Sequence, residues 1–234
     1  MRYALFSGLD EKKQNKLREY GICPVETPEN MSLGEYTRNH ADLSFFYAGK
    51  NVVFLYPSMK SFAEKLEKYG FDVRFVSDKQ GDKYPFDVPL NISRSGKKAI
   101  ANIDTASKDV LKYLTENDFE IISVRQGYTS CSCVFADDNH LITDDESIYR
   151  KSSGKIKNVL LLKKGKVKLP GFEYGFIGGA SGVISGEYVF FNGSDYVYPD
   201  IREFLSDTKI KIVDLADGEL FDIGSIIITD DISR

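Results

Sequence analysis

The feature that most constrains this chain is an order of signals that recurs along it: an apolar strand, a turn, a second apolar strand, an amphipathic helix and a third apolar strand. The clearest copy begins at His40. Residues 40–47 read as a strand, Ala48-Gly49-Lys50-Asn51 as a turn and residues 52–56 as the returning strand. Ser58 is placed to cap a helix in which Met59, Phe62, Ala63, Leu66 and Tyr69 recur at the spacing of one helical face, and Gly70 stops it. Residues 71–76 then form the third strand.

Three further copies follow at steps of roughly 40 to 50 residues. The second runs through residues 90–93, a turn at Ser95-Gly96-Lys97, residues 99–102, a helix capped by Ser107 and residues 119–124. The third has Cys131-Ser132-Cys133-Val134-Phe135, residues 140–143, a short helix over 146–151 and residues 159–162. The fourth has Ser181-Gly182-Val183-Ile184, residues 188–191, a helix after Pro199 and residues 210–213, with Gly193-Ser194-Asp195-Tyr196 as a turn before that helix. A fifth begins at Gly224-Ser225-Ile226-Ile227-Ile228, and its missing parts stand at the other end of the chain: residues 3–6, a helix over 10–20 and residues 22–25.

A final unit shared between both ends closes a ring, so the expected fold is a five-fold pseudosymmetric α/β propeller of ββαβ units, one domain over residues 1–234. An ordinary α/β sandwich also alternates strands and helices. It gives no reason for a unit split between the termini.

Composition narrows the setting. No apolar run approaches the roughly 18 residues needed to cross a bilayer, and the N-terminal segment carries no cleavage signal, so a cytoplasmic protein with no membrane partner is expected. Cys23, Cys131 and Cys133 are three cysteines, too few and too odd for a disulfide framework, and read as free thiols. The net charge of −4 and the scattered basic residues argue against a nucleic-acid partner; the seven lysines between Lys151 and Lys168 read as a solvated face.

Five such units, the last completed by the N-terminus, resemble the pentein, or guanidino-group-modifying-enzyme, superfamily over the whole chain. The strings Gln126-Gly127-Tyr128-Thr129-Ser130-Cys131-Ser132, Tyr174-Gly175-Phe176-Ile177-Gly178-Gly179-Ala180-Ser181-Gly182 and Asp222-Ile223-Gly224-Ser225-Ile226-Ile227 are similar to an uncharacterised bacterial branch of it. The resemblance implies a central channel with carboxylates that grip a guanidinium, a histidine that moves protons and a cysteine that attacks the guanidino carbon. In the characterised families that cysteine lies in the last unit's first strand, where this chain has Asp222-Ile223-Gly224-Ser225. Their histidine lies in the fourth unit, where this chain has Gly178-Gly179-Ala180-Ser181-Gly182.

In such a ring the first strand of each unit lines the channel, and side chains two apart on a strand share a face. His40 and Asp42 then point together, an imidazole beside a carboxylate that can orient it for acid or base work; capping a strand end and holding a turn is the plainer reading. Cys131 and Cys133 stand in the same relation. Cys131 is a candidate nucleophile if His40 as imidazolium lowers its pKa, and a small buried hydrophobe otherwise. Cys131, Cys133, His40 and Asp42 have zinc-ligand chemistry, but Cys-x-Cys is a poor match to zinc spacing, and neither a metal nor a cofactor is expected.

Asp42 and Asp222 supply the negative field that a guanidinium or amine wants. Asn91, Ser132, Ser181 and Ser225 add uncharged hydrogen-bonding groups, and Lys83, Tyr84 and Gln126 are placed at the rim. The Gly178–Gly182 stretch lacks the lysine and long helix of a phosphate loop and reads as glycine allowing close backbone approach. Three functions stay open: a binding protein for a small guanidino or amine compound in an acidic channel; a hydrolase or transferase on such a compound with Cys131, His40 and Asp42 as catalytic groups; and a non-enzymatic interaction protein, as in the pentein-like ribosome anti-association factor. Oligomeric state is not legible.

Overall fold

Strand pairing in the computed structural model, which describes residues 1–194 and 198–232, repeats with the period of the sequence. The chain runs β1 (Arg2–Phe6), α1 (Glu11–Glu19), β2 (Ile22–Glu26), α2 (Ala41–Ser44), β3 (Phe45–Gly49), β4 (Val52–Leu55), α3 (Lys60–Lys68) and β5 (Asp72–Phe75). It continues as β6 (Ser93–Ser95), β7 (Lys98–Ala101), α4 (Lys108–Glu116), β8 (Glu120–Ser123), β9 (Cys133–Asp137), β10 (His140–Thr143), α5 (Glu146–Ser152) and β11 (Asn158–Leu161). The last part is β12 (Val167–Lys168), β13 (Ser181–Ile184), β14 (Tyr188–Phe191), α6 (Pro199–Leu205), β15 (Lys211–Asp214), β16 (Leu220–Phe221) and β17 (Ile227–Ile228).

Among the described residues, five sheets have three strands, in the orders β3-β4-β5, β6-β7-β8, β9-β10-β11, β13-β14-β15 and β17-β1-β2. In each, the first strand joins the middle one antiparallel and the last joins it parallel across a helix, as Phe46↔Phe54 and Val53↔Val73 do in the first of them. The fifth obeys the same rule with strands from the two ends of the chain: Ala4↔Ile228 is antiparallel and Tyr3↔Cys23 parallel. The repeat did not predict a small parallel pair, β12 with β16.

The middle strands are apolar through their buried centres, β4 and β14 at every position, because each is covered on both faces, and alternate residues go to different clusters. Val53 and Leu55 of β4 pack with Tyr3 and Leu5 of β1, while Val52 and Phe54 pack with Ala99 and Ala101 of β7. Ile100 of β7 joins Phe135 and Leu141; Ile142 of β10 joins Val189 and Phe191 of β14; and Phe190 joins Ala4 and Phe6 of β1. Each fully buried aliphatic or aromatic side chain contributes about 1.5–3 kcal/mol by leaving water.

Helices follow their signals. Asp10 caps α1 by accepting from the Lys13 amide, and Phe62, Ala63 and Leu66 of α3 are buried. A 3-10 turn at Pro57–Met59 displaces the expected cap, so α3 starts at Lys60 and not after Ser58. Ser107 does sit before α4, but its hydroxyl donates to Asp78 and accepts from no amide of the helix. Asp195 and Tyr196 of the expected turn before α6 lie outside the described residues.

The first strand of the fourth unit, β13, starts at Ser181 as read, but the other four begin later than the apolar pattern suggests. His40 precedes the helical turn α2 and β3 starts only at Phe45; Asn91 precedes β6, Cys131 and Ser132 precede β9, and Asp222 and Ser225 precede β17. Their backbone groups bond elsewhere than to a sister strand: the Asp42 amide to the Gly224 carbonyl, the Ser132 amide to Tyr128, and the Gly179 amide to the Cys131 carbonyl. The shared-face argument for His40 with Asp42 and for Cys131 with Cys133 is therefore corrected, since neither pair lies on one strand.

Candidate functional site

These lead-in loops converge on one buried carboxylate. Asp42 Oδ2 accepts from the Ser225 hydroxyl at 2.6 Å and from the Cys131 thiol at 3.1 Å, while Oδ1 has no partner among the described residues. Asn91 locks the cluster: its Nδ2 lies 3.1 Å from the Asp42 carbonyl and 3.2 Å from Cys131 Sγ, and its Oδ1 accepts from the Ser130 and Cys131 amides. Ser225 is held at φ +69, a conformation that costs a residue with a side chain about 1–3 kcal/mol, by its amide bond to the Gly179 carbonyl and its bond to Asp42.

A second buried carboxylate, Asp222, accepts from the Gly224 amide at Oδ1 and the Phe176 amide at Oδ2, both at 2.9 Å. His40 Nδ1 stands 3.9 Å from Asp222 Oδ1. Glycine makes this packing possible, as its role in the sequence suggests: a Cβ on Gly179 would lie 2.0 Å from Asp222 Oδ1, and one on Gly178 would lie 2.2 Å from the Ser130 carbonyl.

Burial pushes the Cys131 thiol well above its ordinary range, and the Asp42 and Asp222 carboxylates push it further. The expected depression by an imidazolium is thus corrected: burial and the two carboxylates outweigh the Asn91 amide at the sulfur, and the thiol is held as a donor to Asp42. Burial also raises Asp222, with His40 opposing and Asp42 reinforcing the shift. His40, Asp42 and Cys131 bring a ligand atom each within 4.8 Å of one another. Cys133 is elsewhere, packed with Ile100, Phe135 and Leu141, so the four-ligand zinc set does not assemble.

His40, Cys131 and Asp222 face a cavity of about 610 Å³. Its walls are aromatic: Tyr36, Tyr84, Tyr128, Phe172, Tyr174 and Phe176. Tyr84 apart, the repeat did not point to that wall, because most of these residues sit in loops without periodicity. Lys83 and Tyr84 line it as expected at a rim. Gln126 instead accepts from the Tyr128 amide and donates to Asp145, which positions Tyr128 from behind.

The remaining expected contacts are not in this cavity. Ser181 donates to the Gly178 carbonyl and, with Ser225, faces a separate space of about 590 Å³ beside Arg2 and Arg94. Asn91 lines neither, and Ser132 is buried with its hydroxyl unpartnered among the described residues. The expected single channel is divided, with the Asp42 carboxylate between Cys131 on one side and Ser225 on the other.

Three solved structures carry the same fold. A cysteine-to-serine variant of the DDAH from Pseudomonas aeruginosa, complexed with citrulline, matches with a TM-score of 0.56 at 7% identity, over 91% of this chain and 92% of that one. The amidinotransferase SxtG of saxitoxin biosynthesis from Microseira wollei matches at 0.54 and 11% identity, over 88% and 74%. The cyanobacterial arginine dihydrolase ArgZ matches at 0.50 and 14% identity, over 91% of this chain and 36% of that one. At such identities the likeness shows the fold alone, that of the pentein guanidino-modifying enzymes. No curated protein sequence matches. A family of unknown function, DUF6873, matches residues 7–227, and the chain belongs to that family.

Proposed function

We propose that this protein binds a small organic cation, a guanidino or amine compound, in the aromatic-walled cavity, and that binding is its function. The observation that carries the reading is Asp222, a buried carboxylate that lines that cavity with His40 3.9 Å away, backed by a second buried carboxylate, Asp42, to which the cavity-lining Cys131 donates. A buried carboxylate left without a cation is costly, and a guanidinium or ammonium entering beside Asp222 supplies both charge and N–H donors. Burial and two acids keep Cys131 protonated, which favours binding over attack by sulfur.

The covalent reading rests on one contact, the 3.1 Å bond from Cys131 to Asp42 Oδ2, since a carboxylate in that place can take the thiol proton once a bound cation offsets the local negative charge. Iodoacetamide labelling of Cys131 from pH 5 to 9 separates the two. The binding reading expects Cys131 to stay less reactive than Cys23, with or without a guanidino compound; labelling that accelerates on adding the compound supports the nucleophile. For binding itself, thermal melting with guanidinium, methylguanidine and simple amines is the test, and a flat response to all of them rejects it.

We further infer that the five sheets stand as blades around one axis and that residues 1–234 form one domain. Contacts in a closed order support this: Arg94 Nε to the Tyr47 carbonyl, Ser95 to Asp138, the Gly186 amide to Ala136, the Ile226 amide to Ser181, and the Lys50 amide to Asp230. Five of the six apolar clusters among the described residues follow the same cycle, and the sixth, Leu33 with Leu43 and Val88, lies among the loops. A cytoplasmic site is consistent with three free cysteines, and no helix among the described residues is long and apolar enough to cross a membrane.

A further inference from the structure

The cavity holds a second carboxylate that the fold leaves incompletely satisfied. Asp87 is 5% exposed; its Oδ2 accepts from the Tyr128 hydroxyl at 2.6 Å, and its buried Oδ1 has no partner among the described residues. Burial raises its pKa, with the Tyr128 bond opposing. Asp87 lines the cavity, and a buried acid beside such a space with one oxygen left without a donor is a place where a cation gains most.

Asp87 and Asp222 are joined by aromatic rings. Tyr128, bonded to Asp87, lies with its ring 6.0 Å from that of Phe176 at an interplanar angle of 23°, and the Phe176 amide donates to Asp222 Oδ2. Tyr84 adds a ring 6.1 Å from Tyr128, and Tyr174 one 6.3 Å from Phe176. Faces of this kind attract ammonium groups and cover aliphatic carbon. The other charged residues around the space are Glu35, Asp82 and Glu173 against Lys83 alone. A carboxylate on the ligand would meet repulsion here.

Building on the reading that the cavity binds an organic cation, we propose that its ligand is a dication without a carboxylate: an amine or guanidine at Asp222, a second amine at Asp87, and a short aliphatic chain along Tyr128 and Phe176. The cavity then discriminates by charge at two points and rejects amino acids that share the same cationic side chain.

Calorimetric titration of the wild-type protein tests this with matched sets that differ by one group. One set is 1,4-diaminobutane, n-butylamine and ornithine; the other is 4-aminobutylguanidine, butylguanidine and arginine. The dication in each set is expected to bind at least tenfold tighter than the monocation and than the amino acid. Asp87→Asn, and independently Tyr128→Phe, are expected to shrink the ratio of dication to monocation affinity. Equal affinity for dication and monocation in wild-type protein, or amino acids binding as well as dications, overturns the two-point proposal while leaving cation binding intact. Binding of none of the six compounds overturns cation binding itself, and this proposal with it.

Discussion

The two cavities beside Asp42 differ in how their charges are met. On the Ser225 side, acids already have partners: Asp230 accepts from Tyr47 and the Lys50 amide and lies 3.6 Å from Arg94, and Glu187 pairs with Arg2 at 2.8 Å. On the Cys131 side, Asp222 and Asp87 are buried with backbone amides, a distant imidazole or a tyrosine as their company. The contrast indicates where a ligand is wanted: a protein that closes its own ion pairs in one space and leaves them open in another reserves the second for charge from outside.

The largest expected effect comes from filling the backbone contact behind Asp222. Gly179→Val places carbon where the carboxylate sits, so it should abolish cation-dependent stabilisation altogether and, in addition to that loss, destabilise the fold by about 1–3 kcal/mol of overpacking, read as a lower melting temperature. Asp222→Asn should weaken cation affinity by about 2–5 kcal/mol, the usual cost of removing one member of a buried charge pair, as read by titration calorimetry. A variant that binds as the wild type does would place the ligand elsewhere.

Asp144 sharpens the comparison, because it is a buried acid outside both cavities. Successive amides on one segment serve the two carboxylates, Phe176 for Asp222 and Ile177 for Asp144, yet only Asp222 faces open space. Burial pushes Asp144 up to about 7. The native state therefore holds a proton that the unfolded chain releases near pH 4, and stability should fall as pH rises from there through about 7. Asp144→Asn should remove that slope, and denaturant melts at pH 5 and 8 would show it as a relative gain for the variant at the higher pH. The smallest effect is expected on the opposite side. Arg94→Ala should cost about 1 kcal/mol or less and leave the cation response in place; loss of that response would erase the distinction between the cavities.

The repeat was legible because the middle strands announce themselves. Val52 to Leu55 and Tyr188 to Phe191 are apolar at every position since both faces are covered, and a turn and a helix stand at fixed places around them. The split unit was legible for the same reason at β1. The lead-in loops were not. His40, Asn91 and Cys131 look like the start of a strand in one dimension, but the His40 and Asn91 amides turn back to Thr37 and Val88 of their own loops and the Cys131 carbonyl accepts from Gly179 of the next unit, which no strand period reports. Asp42, Asn91, Cys131 and Ser225 nevertheless meet, because equivalent positions of the units approach one another; Ser181 stops at the Gly178 carbonyl. The aromatic wall comes from residues as far apart as Tyr36 and Phe176, and only the folded chain assembles it.

The most direct test of the account is thermal melting of the wild-type protein against simple guanidines and amines at constant ionic strength. Saturating stabilisation is predicted, about 2.7 kcal/mol at a hundred times the dissociation constant, and it should be lost in Asp222→Asn. A melting temperature that no organic cation raises, in a protein that is folded, would contradict the claim that this cavity is built for one.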